Sequence, residues 1–103
     1  MDRRIIMTVS IETIHQSEYC TIAVARFHPR GGGLGNEFDA VCTLMIEGTS
    51  CKIIGLLSKS TFKITHIMSL SKALRSLGVE RAFLRRNITE PFREFHLPEW
   101  RLH

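Results

Sequence analysis

EFDAVCTLMIEGTSCKIIGLLSKSTFKITHIMSLSKALRSLGVERAFLRR, Glu37 to Arg86, decides the fold of this chain. Its first part alternates: Phe38, Ala40, Cys42, Leu44 and Ile46 fall on one side of an extended backbone, and Asp39, Thr43 and Glu47 fall on the other with Val41 and Met45. Successive side chains of a strand point to opposite faces, so this segment reads as a strand with one buried face and one half-wet face. Glu47-Gly48-Thr49-Ser50 is a turn, and Cys51 to Leu57 is apolar on both faces, as in a central strand. Residues 38–57 therefore read as a hairpin.

After Ser58-Lys59-Ser60-Thr61 the period changes. Ile64, Ile67, Leu70, Leu74 and Leu77, with Met68 beside them, recur at three and four residues and form one stripe of a helix. Ser60 or Thr61 is placed to cap its start, Gly78 supplies the left-handed position that ends it, and Lys72 and Arg75 sit near the negative end of its dipole. Val79 to Arg85 resumes as a strand. A strand, a helix and a strand joined this tightly form a right-handed crossover, which sets 80–86 parallel to 51–58 and lays the helix over one sheet face.

Upstream, residues 8–15 alternate Val9 and Ile11 against Thr8, Ser10 and Glu12, a first strand that ends in the turn Gln16-Ser17-Glu18. Tyr19 to Phe27 is a second strand, with Cys20, Ile22 and Val24 on one face and Tyr19, Ala23, Ala25 and Phe27 on the other; two apolar faces argue for a central or covered position. His28 to Asn36 is a glycine-rich connection that reads as mobile, with Arg30 in solvent. Met1 to Met7 is a weakly patterned lead in which Met7 is a candidate natural start. Downstream, 87–103 combines Pro91 and Pro98 with Phe92, Phe95, Leu97 and Trp100 and has little periodicity, an irregular tail that folds back on the sheet or reaches a second copy. The expected fold is α+β: a mixed, mostly antiparallel five-stranded sheet with one main helix, in the order β-β-β-β-α-β, within a single domain 1–103 (core 8–86, tail 87–103).

Composition narrows the function classes. With 44% hydrophobic and 23% charged residues the chain is an ordinary globular sequence, neither disordered nor membrane-spanning. No apolar run approaches the roughly 20 residues of a transmembrane helix, and the lead is too short for a signal peptide, which implies a soluble cytoplasmic protein without a membrane partner. Cys20, Cys42 and Cys51 are odd in number and lack a C-x-x-C pair, so they read as small hydrophobes. His15, His28, His66, His96 and His103 show no ligand spacing, and no metal site is expected. No nucleophile stands beside a base in sequence, so the residues themselves name no catalytic group and no cofactor. One helix cannot cover both faces of a sheet. The reading that follows is a non-enzymatic binding or regulatory protein acting through protein–protein contacts, as a homodimer or with another protein on the spare face or the tail.

The formal net charge is +4, unevenly spread. Residues 37–50 carry Glu37, Asp39 and Glu47 without a base, whereas 51–79 carry Lys52, Lys59, Lys63, Lys72 and Arg75 without an acid. Ser58, Lys59, Ser60, Thr61 and Lys63 bring hydroxyls and ammonium groups to a helix start, where backbone amides and the dipole favour an anion. If Lys59, Lys63, Lys72, Arg75 and Arg85 share one surface, weak nucleic-acid binding without sequence preference follows, because phosphate contacts carry no base information.

Arg30-Gly31-Gly32-Gly33-Leu34-Gly35 matches R-x-x-G-x-G, and the layout from the second to the fifth strand, an antiparallel meander leading through a helix to a parallel strand, resembles the core of the GNAT acetyltransferase superfamily over residues 18–86. In that family the glycine loop opens the helix and cradles the pyrophosphate of acetyl-coenzyme A. Here Gly33 and Gly35 lie between two strands, and Ser58-Lys59-Ser60-Thr61 stands where the family's loop would be. The resemblance implies a reduced GNAT-like coenzyme A binder with Ser58 to Lys63 on the phosphates. It leaves as nearby general-base candidates Glu47, beside the hairpin turn, and His66, which reads as water-facing on the first turns of the helix. Small orphan proteins of phages and prophages have a similar layout.

Overall fold

Period and turn chemistry place seven elements along the chain in the computed structural model, which describes residues 7–33, 35, 37–59, 61–85 and 88–95. They are β1 (Thr8–Gln16), β2 (Thr21–His28), β3 (Ala40–Glu47), β4 (Ser50–Ser58), α1 (Ile64–Ser76), β5 (Arg81–Leu84) and β6 (Arg93–Phe95). The strands form one sheet in the order of the sequence. Every neighbouring pair is antiparallel except β4 and β5, which run parallel on either side of α1. The expected α+β class and the parallel crossover pair are thus present. The strand count is corrected from five to six, because the tail read as irregular contributes Arg93–Phe95, paired to Ala82–Leu84.

Alternation sets the two faces. Ala23, Ala25 and Phe27 of β2, Ala40, Cys42 and Leu44 of β3, Cys51 and Ile53 of β4 and Ala82 of β5 are buried with Leu70 and Leu74 of α1. Small residues on the middle strands let the helix sit close to the sheet. The helix ends as its glycine requires. Gly78 has φ +85°, its N–H bonds Arg75 O and the Val79 N–H bonds Leu74 O, a Schellman closure with Leu74 and Val79 both buried. The amides of Glu80 and Arg81 then donate to Thr49 O, which starts β5 beside the start of β4.

The buried stripe of α1 differs from the apolar one. Ile64, Met68 and Leu77 are exposed, whereas His66 and Ser71 are buried with Leu70 and Leu74. The helix presents a face rotated by about one residue, because two polar residues are satisfied inside: Ser71 Oγ donates to Ile67 O at 2.7 Å, and both ring nitrogens of His66 are engaged.

The connection between β2 and β3 is tied down at its described residues. Thr8 Oγ1 donates to Gly32 O at 2.7 Å, the Gly31 N–H donates to His28 O, and the Asp39 N–H donates to Phe27 O. Arg30 is exposed, as expected, but Gly32 is bonded to the first residue of β1. Phe38, expected on the same side as Ala40, instead sits edge-on to His28 and beneath the Arg26 guanidinium, before β3 begins.

Candidate functional site

Among the described residues, two surfaces stand out for a ligand or partner, and the first follows from the way β4 is built. Val41 pairs with Leu57 but Thr43 pairs with Ile54, so Gly55 and Leu56 together oppose Cys42. This is a bulge, and Gly55 carries it at φ +62°. Pairing of β4 with β5 stops at Ile53, and the rest of β4 diverges. Leu56, Phe62, Ile67, Leu70, Leu84 and Phe95 close around the gap with Ile53, leaving a cavity of about 230 Å³ whose lining is almost wholly apolar. It lies toward the carboxyl ends of the two parallel strands, the position where sheets of this kind hold ligands.

The second surface is the sheet face opposite α1. Register places Ile22, Met45, Lys52, Phe83 and Glu94 in one cross-strand row, and Val24, Thr43 and Ile54 in the next. Their apolar members are half-buried and no described element covers them. The bordering charges are paired: Arg26 with Glu12 at 2.9 Å, and Arg81 with Glu94 through two hydrogen bonds of 3.0 Å. The Glu94 carboxylate holds the Arg81 guanidinium above its ordinary pKa. Lys52 and Arg85 both face the Phe92 ring, at 5.5 and 4.4 Å from its centroid.

The sequence-derived anion residues lie at the start of α1, with a different closure from the one expected. The N-cap is Lys63, not Thr61, and Ser60 lies outside the described residues. Ser58, Lys59, Thr61 and Lys63 are exposed. The Lys63 N–H donates to His66 Nδ1 at 3.0 Å, and the amides of His66 and Ile67 donate to Lys63 O. An imidazole therefore closes the helix start. His66, expected in water, is 2% exposed and stacks among Phe27 and Phe62. With Nδ1 accepting from an amide and Nε2 3.2 Å from Asp39 Oδ1, it has no lone pair left to act as a base. Glu47 is exposed at the end of β3.

Of the five cations considered for nucleic acid, Lys59 and Lys63 flank the start of α1, Lys72 is exposed along it, and Arg75 is half-buried in its last turn. Arg85 stacks on Phe92, a ring shared with Lys52, on the face α1 leaves open. The fold thus divides this set between two sides of the sheet. Among the described residues no cluster of three or more His, Cys, Asp or Glu could hold a metal ion, and no helix is long and apolar enough to cross a membrane.

Sequence reasoning missed two polar pairs that the fold assembles: His66 with Asp39, and His28 with Ser10. His28 is fully buried; its Nδ1 is 2.9 Å from Glu37 O and its Nε2 is 2.7 Å from Ser10 Oγ. The first depends on where α1 packs against the entry to β3 and the second on the β1–β2 register, and no local motif encodes either. No protein-family model, curated protein or solved structure matches the chain, so its fold and site stand on these residues alone.

Proposed function

We propose that the chain is a small binding or regulatory module, of the kind phages and prophages carry, that acts by protein–protein contact through the sheet face opposite α1, most simply as a homodimer. The observation that carries this reading is the uncovered pair of rows containing Ile22, Val24, Met45, Ile54 and Phe83, bordered by charges already paired within the chain. A largely apolar face of this kind, interrupted by Thr43 and the exposed Lys52, favours contact with another apolar surface. Sedimentation velocity tests it: a dimer that persists on dilution, and that Val24→Glu converts to a folded monomer, is the expected result. A wild-type monomer at high micromolar concentration removes the homodimer.

The bulge at Gly55 and the apolar gap beyond Ile53 favour a second reading, a reduced GNAT-like protein that places the acyl end of coenzyme A against Leu56 and Phe62. Ser58 to Lys63 would then face the phosphates, without the glycines that let a backbone approach pyrophosphate. Calorimetry with acetyl-coenzyme A decides between the two: binding heat abolished by Leu56→Trp supports the coenzyme, and no heat ends this reading.

A further inference from the structure

Ser10 and His28 lie one register step apart on neighbouring antiparallel strands, since Thr8 pairs with His28 and Ser10 with Arg26. The side chains of Ser10, Arg26 and His28 therefore project from the same face. The partners fix the tautomer of His28. Glu37 O can only accept, so Nδ1 carries the proton at 2.9 Å, and Nε2 is left with a lone pair 2.7 Å from Ser10 Oγ. The hydroxyl hydrogen then points at the imidazole. A nucleophile bonded to a base whose far nitrogen is held by a third group is the arrangement that activates a serine. Arg26 stands directly across from Ser10 in the register, its guanidinium held by Glu12 at 2.9 Å and lying over Phe38. The loop after His28 borders a separate concavity of about 330 Å³, lined by Pro29, Arg30, Gly31 and Glu37 and not by Ser10 or Arg26. Ser10 itself is partly exposed while His28 is shielded from water.

We propose that Ser10, His28 and Arg26 form an acyl-transfer site for small activated acyl esters, at the β1–β2 end of the sheet and beyond the contact role proposed above. Ser10 Oγ bonds to the ester carbonyl carbon as its proton passes to His28 Nε2, and the oxyanion develops toward the Arg26 guanidinium. The carbon–oxygen bond to the leaving alcohol breaks, and the proton on Nε2 goes to that oxygen. Water entering past the partly exposed Ser10 gives a proton to the same nitrogen as it attacks the acyl-serine; the acyl–Oγ bond breaks, the proton on Nε2 returns to Oγ, and the carboxylic acid leaves. A backbone carbonyl orients the ring where a carboxylate does so in the Ser-His-Asp arrangement, and a slow turnover is expected.

A fluorophosphonate probe tests the nucleophile, since attack forms an Oγ–P bond and expels fluoride. Peptide mass spectrometry of the full chain should find Ser10 labelled at least tenfold above the exposed Ser76, and Ser10→Ala should lose both this label and the hydrolysis of p-nitrophenyl acetate. Because Ser10→Ala leaves His28 Nε2 without its partner, Ser10→Cys provides a second reading that does not depend on that variant folding well. Its introduced thiol should react with iodoacetamide at least tenfold faster than Cys20 of the same molecule, and Ser10→Cys/His28→Gln should erase the advantage. Labelling of Ser10 no greater than Ser76, or an introduced thiol no faster than Cys20, overturns the proposal.

Discussion

His66 reaches from the first turn of α1 to Asp39 at the entry to β3, with Nε2 3.2 Å from Oδ1 and 3.3 Å from Oδ2. Because Nδ1 accepts the Lys63 amide, Nε2 bears the hydrogen and donates it to the carboxylate. Asp39 is itself held by backbone bonds to Phe27 and Lys59, so one imidazole ties the helix start to three strands' worth of backbone. His66→Ala should cost roughly 3 kcal/mol, as a buried ring is lost and two polar partners are orphaned. Asp39→Asn keeps an acceptor and should cost about 1 kcal/mol or less. Urea denaturation of the two single variants and the double variant measures the coupling, expected at roughly 0.5–3 kcal/mol.

The bulge on β4 rests on one backbone conformation. Gly55 has φ +62° and no heavy atom within 4 Å of the place a Cβ would take, so Gly55→Ala meets backbone strain without a clash. The expected loss is about 1–2 kcal/mol, read as a lower urea midpoint at unchanged slope. A loss near zero would mean the bulge relaxes when the glycine is gone.

Leu74 and Leu77 both belong to the apolar stripe of the helix sequence, yet the first is fully buried and the second 49% exposed. Leu74→Ala should cost roughly 3–4 kcal/mol. Leu77→Ala and Ile64→Ala should each stay within about 0.5 kcal/mol of wild type in the same urea assay.

The core thiols make stability fall in alkali. Burial pushes Cys42 from its ordinary 9.0 to about 12, helped by the nearby Cys51, and burial pushes Cys51 to about 11. The folded state thus holds these protons more tightly than the unfolded chain. That contribution is complete below pH 9 and declines as pH rises through about 11 to 12, because the unfolded thiols ionise first. Urea midpoints at pH 8 and pH 10.5 should show the decline, and Cys42→Ala should flatten it. In native protein at pH 8, a disulfide reagent should titrate Cys20 rapidly and leave Cys42 and Cys51 protected until unfolding.

Periodicity made the hairpin of β3 and β4, the helix and its Gly78 terminus legible, because each is written in side chains a few residues apart. The parallel placement of β5 followed from chain connectivity. β6 was not legible: Arg93-Glu94-Phe95 has no alternation long enough to stand out, and its strand character comes from pairing with Ala82–Leu84. The burial of His66 escaped an apolar-only stripe, since its polarity is satisfied by Asp39, 27 positions away. At the candidate site, Ser58, Lys59, Thr61 and Lys63 were legible as the connection before α1, but its closure by His66 was not. Ser10 and His28 meet only once the β1–β2 register is known.

The seam between β4 and β5 spans four residue pairs, Ser50–Ile53 against Arg81–Leu84, whereas β1 through β4 are stitched along nearly their full lengths. The sheet is therefore unequal in its resistance to opening, with a four-stranded meander carrying a short two-stranded flap. Amide hydrogen exchange should resolve the two as separate cooperative units, the flap exchanging at a lower opening free energy than the meander. Lys52 and Phe83 face each other across this seam. A partner that spans both would slow exchange in the flap far more than elsewhere, so protection of β5 and β6 would report occupancy of the open face.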